Sequence, residues 1–219
     1  MRISGNECAY NVLPGSKILI FGETKDSENY GFFLSCLDSG GKVEWTKVHG
    51  KFEGVMASGI IDIVDGFIFS GSVKTEKDWQ SRLFSVGMAG DIEWAVDVAC
   101  ERVFQMCSVE GGLILAGKRS GSIFLARADC SGKMLWQKEF GAGCGISVLL
   151  DGDDYVMGGE NQHGNPFVCR IDKNGNMARR IDLEGSGWIG AVARHSAGII
   201  LARHALEPGE HTEILFSDI

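Results

Sequence analysis

Residues 112–140 read GLILAGKRSGSIFLARADCSGKMLWQKEF. Short apolar runs alternate with KRSG and DCSG. Runs of this length, bounded by Gly, Ser and Asp, are strands joined by tight turns. Glycine supplies the positive φ that such turns need, and Asp or Asn tolerates it next best. No window of the chain combines a clean 3.6-residue apolar period with helix caps. The stretch therefore predicts strand, turn, strand, turn, strand.

The phrase recurs along the chain. Its first run appears as KILIFG (17–22), GFIFSG (66–71), GLILAG (112–117), DYVMGG (154–159) and GIILAR (198–203). Each is followed by a second run: FFLSCLD (32–38), RLFSVG (82–87), FLARAD (124–129), FVCRID (167–172) and EILFSD (213–218). Four are followed by a third: GGKVEW (40–45), AGDIEW (89–94), SGKMLW (131–136) and NGNMAR (174–179). One more apolar stretch precedes each: CAYNVL (8–13), GIIDIV (59–64), VFQMCSV (103–109), ISVLL (146–150) and WIGAVAR (188–194). The order and phase hold throughout, which chance resemblance between short apolar runs does not produce. Each repeat thus predicts four strands, A to D in chain order.

A lone four-stranded meander cannot bury both faces, but stacked repeats can. Radial stacking gives a β-propeller, which keeps sheet edges short. The expected fold is all-β: a single β-propeller domain, 1–219, of five four-stranded blades. Its repeats run 8–54, 55–101, 102–143, 144–187 and 188–219. The last lacks strand D, so residues 1–7 are assigned to complete it as an N-terminal strand. Trp45, Trp94 and Trp136 fall at one place in strand D, where large rings are expected buried between sheets. The fourth repeat carries Arg179 there.

The phrases LDSGGKVEW, ADCSGKMLW and IDKNGNMAR resemble the repeat of pyrroloquinoline-quinone-type (PQQ-like) propellers and related bacterial repeat proteins. In that repeat an Asp ends strand C and a Gly-Lys-x-x-Trp phrase opens strand D. Asp38, Asp129 and Asp172 stand seven residues before Trp45, Trp136 and Arg179; the second repeat departs with Gly87. The resemblance implies a propeller. Its function is open, because the repeat serves enzymes and assembly scaffolds alike. The quinone is not carried over, since the metal-binding loops of those enzymes have no counterpart here, and no cofactor is expected.

The chain has 219 residues, a net charge of −8, 31 glycines and three prolines. The acidic balance disfavours nucleic acid, which needs a basic face. No run of 18 apolar residues points to a membrane, and the start MRISGNECAYNV has no signal-peptide pattern. Seven cysteines without C-x-x-C spacing read as reduced thiols, so a cytoplasmic protein is expected.

Chemistry is thinner. Gly141-Ala142-Gly143-Cys144-Gly145 has no following helix to hold phosphate, and reads as a tight turn. The five histidines lack metal-motif spacing, and no metal site is expected. No G-x-S-x-G elbow occurs. The position just after strand B reads Glu23, Ser72, Lys118, Glu160 and His204, at the mouth of the expected channel. Arg203 breaks the repeat where the others keep Gly22, Gly71, Gly117 and Gly159; it is expected to neutralise Glu23 and Glu160 or to offer its planar fork to a ligand. Trp79 sits in a charged B–C loop, and Asp62 interrupts an apolar strand A. Binding residues favour such loops on a rigid scaffold. Ligand contacts are therefore expected from Arg203, His204, Glu23, Glu160, Lys118, Trp79 and Asp62, and catalytic residues from none. A non-enzymatic binding or scaffold role follows, for a protein, peptide or small polar ligand at the channel mouth. The alternative is a glycosidase-like hydrolase or lyase with acids at that mouth.

Overall fold

The computed structural model describes residues 6–13, 17–196, 198–206 and 211–217. Among them it holds 18 strands and no helix, hence no helix long and apolar enough to cross a membrane. The chain divides into two compact units, Met1–Val103 and Phe104–Ile219.

The first unit holds two antiparallel sheets. One runs β1 (Asn6–Leu13), β2 (Ile18–Lys25), β3 (Tyr30–Leu37), β4 (Val43–Phe52) in spatial order. The next runs β5 (Val55–Ile63), β6 (Gly66–Lys74), β7 (Trp79–Gly87), β8 (Ile92–Asp97). Both are the predicted A-B-C-D meander. Phe21 and Phe32 of one sheet meet Phe69 and Phe84 of the other, with Phe69 and Phe84 stacked at 4.6 Å. Rings at this spacing fill the gap between sheets that neither sheet closes alone.

The division falls inside β9 (Arg102–Val109). The second unit continues with β10 (Gly112–Arg119), β11 (Ser122–Asp129), β12 (Met134–Asp151), β13 (Asp154–Asn161), β14 (Pro166–Ile171) and β15 (Met177–Asp182). Together with β9 these make one seven-stranded sheet, ordered β9 to β15. A three-stranded sheet follows: β16 (Gly187–His195), β17 (Gly198–Ala205), β18 (His211–Ser217). Strand D of the third repeat and strand A of the fourth are one strand, β12. Its first part pairs with β11 up to Ala142, and its second part pairs with β13 from Gly143. The expected tight turn at 141–145 is thus a bent continuous strand, and the 143/144 boundary lies inside it. Gly143 turns there at φ 139°, and a side chain would strike the Glu160 carbonyl.

Three details repeat. Strand A bulges at one place, between Ala9 and Asn11, Ala57 and Gly59, Gly145 and Ser147, and Ile189 and Ala191. Strand D bulges at the residue after its first pair, at Glu44, Glu93, Leu135 and Ala178. Strands A also tie to one another: Ser58 donates to the Val103 carbonyl, the Val148 amide to Gln105, and the Val192 amide to Ser147. Strand A is the edge of its meander, so its outward backbone groups are open to a neighbour's side chain.

The C–D turns explain the aspartate of the repeat. Asp38 accepts from the Gly40 and Lys42 amides, Asp129 from Ser131 and Lys133, and Asp172 from Asn174 and Asn176. This is an Asx turn. In the second repeat the Gly90 amide donates to the Gly87 carbonyl and closes the same turn without an aspartate.

The tryptophans occupy equivalent positions, opposite Cys36, Ser85 and Arg127. They are half-buried, not sunk in the core. Trp45 lies over Gly90 in the next repeat's C–D turn, and Trp136 lies over Gly175. The ring roofs a turn, so one face stays in water.

The N-terminal assignment changes in part. Asn6 and Glu7 pair with Lys25 and Thr24, so they extend the first sheet. Residues 1–5, the rest of the expected closing strand, lie outside the described residues.

Candidate functional site

Strands B run further than their apolar runs. Glu23, Ser72, Lys118, Glu160 and His204 lie inside β2, β6, β10, β13 and β17 rather than beyond them. The glycine before Glu23, Ser72 and Glu160 is set by space. A side chain at Gly22 or Gly159 would strike the Cys8 or Cys144 carbonyl of the bulged strand A, and one at Gly71 would strike the Phe32 ring.

Each predicted residue has local partners of its own within its unit. Glu23 accepts from the Ala57 amide at 2.6 Å, tying the first sheet to the bulge of the second. Ser72 shares a buried hydrogen bond with Ser81, and Ser81 accepts from the Val103 amide. Glu160 accepts from the Cys144 thiol at 3.5 Å. Arg203, 15% exposed, pairs with Glu213 directly opposite on β18 at 3.4 Å. Its ion pair is therefore with Glu213 and not with Glu160, and its buried Nε has no hydrogen-bond partner. His204 lies tilted against Trp188, ring centres 4.3 Å apart. Lys118 is half-buried opposite Ile123. Trp79 is half-buried over Gly54. Asp62 is exposed opposite Phe67, near the A–B turn and so at the other end of its sheet.

Two cavities lie where B–C loops meet the ends of strands D. In the first unit a cavity of about 190 Å³ is lined by Thr24, Asp26, Asn29, Tyr30, Val48 and Gly50. In the second unit a cavity of about 270 Å³ is lined by Phe140, Gly141, Ala142, Asn161, Gln162, His163, Arg180 and Asp182. Its floor is well organised. Asn161 caps the B–C turn through the His163 and Asn165 amides, as the aspartates cap the C–D turns. Arg180 lies over the Phe167 ring at 4.5 Å, reaches the Phe140 carbonyl, and holds both oxygens of Asp182. Asn161 also donates to Asp182. The Arg180 hydrogen bonds hold the Asp182 carboxyl below the usual carboxylate range.

A third cavity, about 450 Å³, opens by the A–B turns of the second unit, between Leu149, Leu150, Val192 and Arg194. Beside it Asp151 joins Arg170 and Arg194, and these cations, Arg170 foremost, lower its pKa. The thiols of Cys107 and Cys169 are pushed up to about 12 by burial, which makes them inert rather than nucleophilic. Among the described residues no group of three or more His, Cys, Asp or Glu is placed to hold a metal ion.

Sequence reasoning missed Arg180 and Asp182. They end a strand D in which the repeat marks only the tryptophan position. The signal was present in part: NQHGN at 161–165 has the Asx-to-Gly spacing of the C–D turns, so its loop had to be short and rigid.

No family model and no curated protein matches the sequence. Solved structures match in fold. A protein of unknown function from Bacteroides caccae superposes with a TM-score of 0.59 at 11% identity, over 94% of this chain and 85% of that one. A subtype N10 neuraminidase-like protein of A/little yellow-shouldered bat/Guatemala gives 0.58 at 10% identity, over 99% and 84%. A putative glycoside hydrolase from Bacteroides ovatus gives 0.51 at 10%, over 97% and 86%. The likeness is all-β and propeller-like, and at these identities it speaks for fold alone.

Proposed function

We propose that the chain is a five-bladed β-propeller whose fifth sheet is completed by residues 1–5, and that it binds a ligand or partner through its B–C loop end without transforming it. Removing residues 1–5 should then bare an edge on β18 and lower the melting temperature; an unchanged melt removes the split blade. A reducing, cytoplasmic setting fits the seven free thiols.

The observation that carries the binding role is the commitment of the candidate acids. Glu23 is spent on Ala57, Glu160 on Cys144, and Asp182 on Arg180 and Asn161. A general acid needs a carboxyl held protonated by burial or a like charge, whereas Arg180 keeps Asp182 ionised. Open, rigid-walled cavities at the B–C loops suit recognition instead. The second reading, a glycosidase-like hydrolase, draws its weight from the fold likeness to a neuraminidase-like protein and a putative glycoside hydrolase.

The test is a thermal-shift screen of neutral sugars, peptides and carboxylates, followed by chemical-shift mapping of any hit and by assays on chromogenic glycosides. Perturbations at 24–30, 74–80, 118–123 and 160–166, with no glycoside cleaved, support the binding role. Cleavage lost in Glu160→Gln or Glu23→Gln installs the hydrolase, and a hit mapping to the A–B turns overturns the choice of end.

A further inference from the structure

We infer that the cavity between Phe140–Ala142, the 161–163 turn and the Arg180–Asp182 pair is a binding site for an uncharged polyhydroxylated ligand, of the size of one sugar ring. This rests on the B–C loop reading above and narrows it to one place and one chemistry.

The charge balance selects the ligand. Arg180 is the cavity's cation and Asp182 its anion, and they neutralise each other through Nε and Nη2. The remaining Arg180 nitrogen reaches the Phe140 carbonyl. An anion would have to displace Asp182 from the guanidinium, and a cation would have to displace Arg180 from the carboxylate. Either exchange gives up a charge-assisted hydrogen bond already formed. A neutral ligand leaves the pair whole.

The free hydrogen-bonding capacity is mixed. Asp182 Oδ1 takes donors from Arg180 and Asn161, but Oδ2 takes only Arg180 Nε at 3.1 Å. A carboxylate oxygen has room for a second donor, so Oδ2 can accept from a ligand hydroxyl. Gln162 is exposed at the rim with its side-chain nitrogen 3.1 Å from the His163 ring. Its carbonyl oxygen and second amide hydrogen remain for a partner. The cavity lining therefore offers both donors and acceptors. A hydroxyl, donor and acceptor at once, matches that mixture; vicinal hydroxyls match it twice. Phe140 and Ala142 supply an apolar wall for the C–H face of such a ring.

The walls hold their shape unliganded. Asn161 fixes the turn from within, the Arg180 guanidinium is clamped on the Phe167 ring, and β12 passes the cavity as continuous strand. Little ordering is left for binding to impose, which favours even a small ligand.

The experiment titrates the full chain with glucose, galactose, mannose and N-acetylglucosamine, using glucuronate and glucosamine as charged controls, followed by saturation-transfer NMR. Neutral sugars should bind in the millimolar range and better than either charged control. Asp182→Asn should weaken binding by about tenfold, the loss of one charge-assisted hydrogen bond. Gln162→Trp, at an exposed turn position, should block the cavity with the melt unchanged and so separates occlusion from misfolding. Arg194→Ala, beside the A–B turns, should leave binding unaltered. Sugar binding that survives both Asp182→Asn and Gln162→Trp but perturbs another B–C loop overturns this cavity and spares the B–C reading. Binding mapped to the A–B turns overturns both. Preference for glucuronate or glucosamine, or no neutral sugar bound, overturns the ligand class.

Discussion

The C–D turns repeat one backbone device, whereas the B–C loops do not. Three C–D turns carry an aspartate at the same place with a positive-φ glycine three residues on, and the fourth keeps the backbone without the carboxylate. The B–C loops share only their strand ends. One is the Asp26–Asn29 turn, one is held by Thr75 and Asp78, one is a two-residue hairpin through Ser120 and Gly121, and one is the Asn161 turn. The C–D turn touches the next repeat, since Trp45 roofs Gly90 and Trp136 roofs Gly175. The B–C turn at Gly164 joins the next sheet only through backbone, its carbonyl accepting from the Gly187 amide, and a side chain there would meet nothing within 4 Å. A turn roofed by a neighbour's ring cannot change its side chains freely; a turn tied by backbone alone can, and recognition collects on such loops.

The comparison can be broken at its glycines. Gly90 and Gly164 have similar positive φ, 84° and 74°. Only Gly90 has a ring 2.7 Å from where a side chain would start. Gly90→Val should cost about 3 kcal/mol or more, strain and clash together. Gly164→Ala should cost about 1 kcal/mol, the left-handed backbone alone. Equal losses in urea unfolding would show that the roofed turn is no tighter than the open one.

The tryptophans come next. Trp45→Ala and Trp136→Ala should each cost about 2–3 kcal/mol, below the penalty for a fully buried ring, because one face of each is already in water. Their fluorescence should be partly accessible to an aqueous quencher; complete protection would place them deeper than the turns they cover.

The smallest effect separates the caps by pH. Asp129 and Asp172 sit below their usual 3.8, held there chiefly by the Ser131 hydroxyl and by the Asn176 amide. A depressed folded pKa adds stability that is present above the unfolded value and is lost as pH falls through the folded one. Asp172→Asn keeps an acceptor, as Asn161 does in its own turn, so it should melt near the parent at neutral pH. It should also lose part of the acid dependence below pH 3.8. Asp172→Ala should lower the melt at both. A parent and an Asn variant with parallel melts from pH 7 to 2 would remove the carboxylate from the account.

Much of the fold was legible because the repeat is written in features with one physical cause each. Asp38, Asp129 and Asp172 mark Asx turns, the tryptophans mark the residue after the strand D bulge, and the closing glycines mark the close pass of strand A. What hid was written in contacts rather than pattern. Gly141-Ala142-Gly143 has the composition of a turn, and only pairing to β11 on one side and β13 on the other makes it strand. Arg203 stood out as a broken repeat, but its partner Glu213 needed the β17–β18 register. Arg180 and Asp182 fall where the repeat says nothing, and their meaning appears only when the Asn161 turn is folded beside them.

The unbroken β12 has a consequence for where this chain could be cut. Most neighbouring strands are joined by a turn or loop in which new termini could be opened by circular permutation, or a nick made by a protease. Between the third and fourth repeats there is no such place, because 18 consecutive residues from Met134 to Asp151 are in strand and serve two meanders in turn. A cut between these two repeats would have to break a strand rather than a loop. The smallest portable piece of this protein that contains its polar cavity is therefore two repeats long.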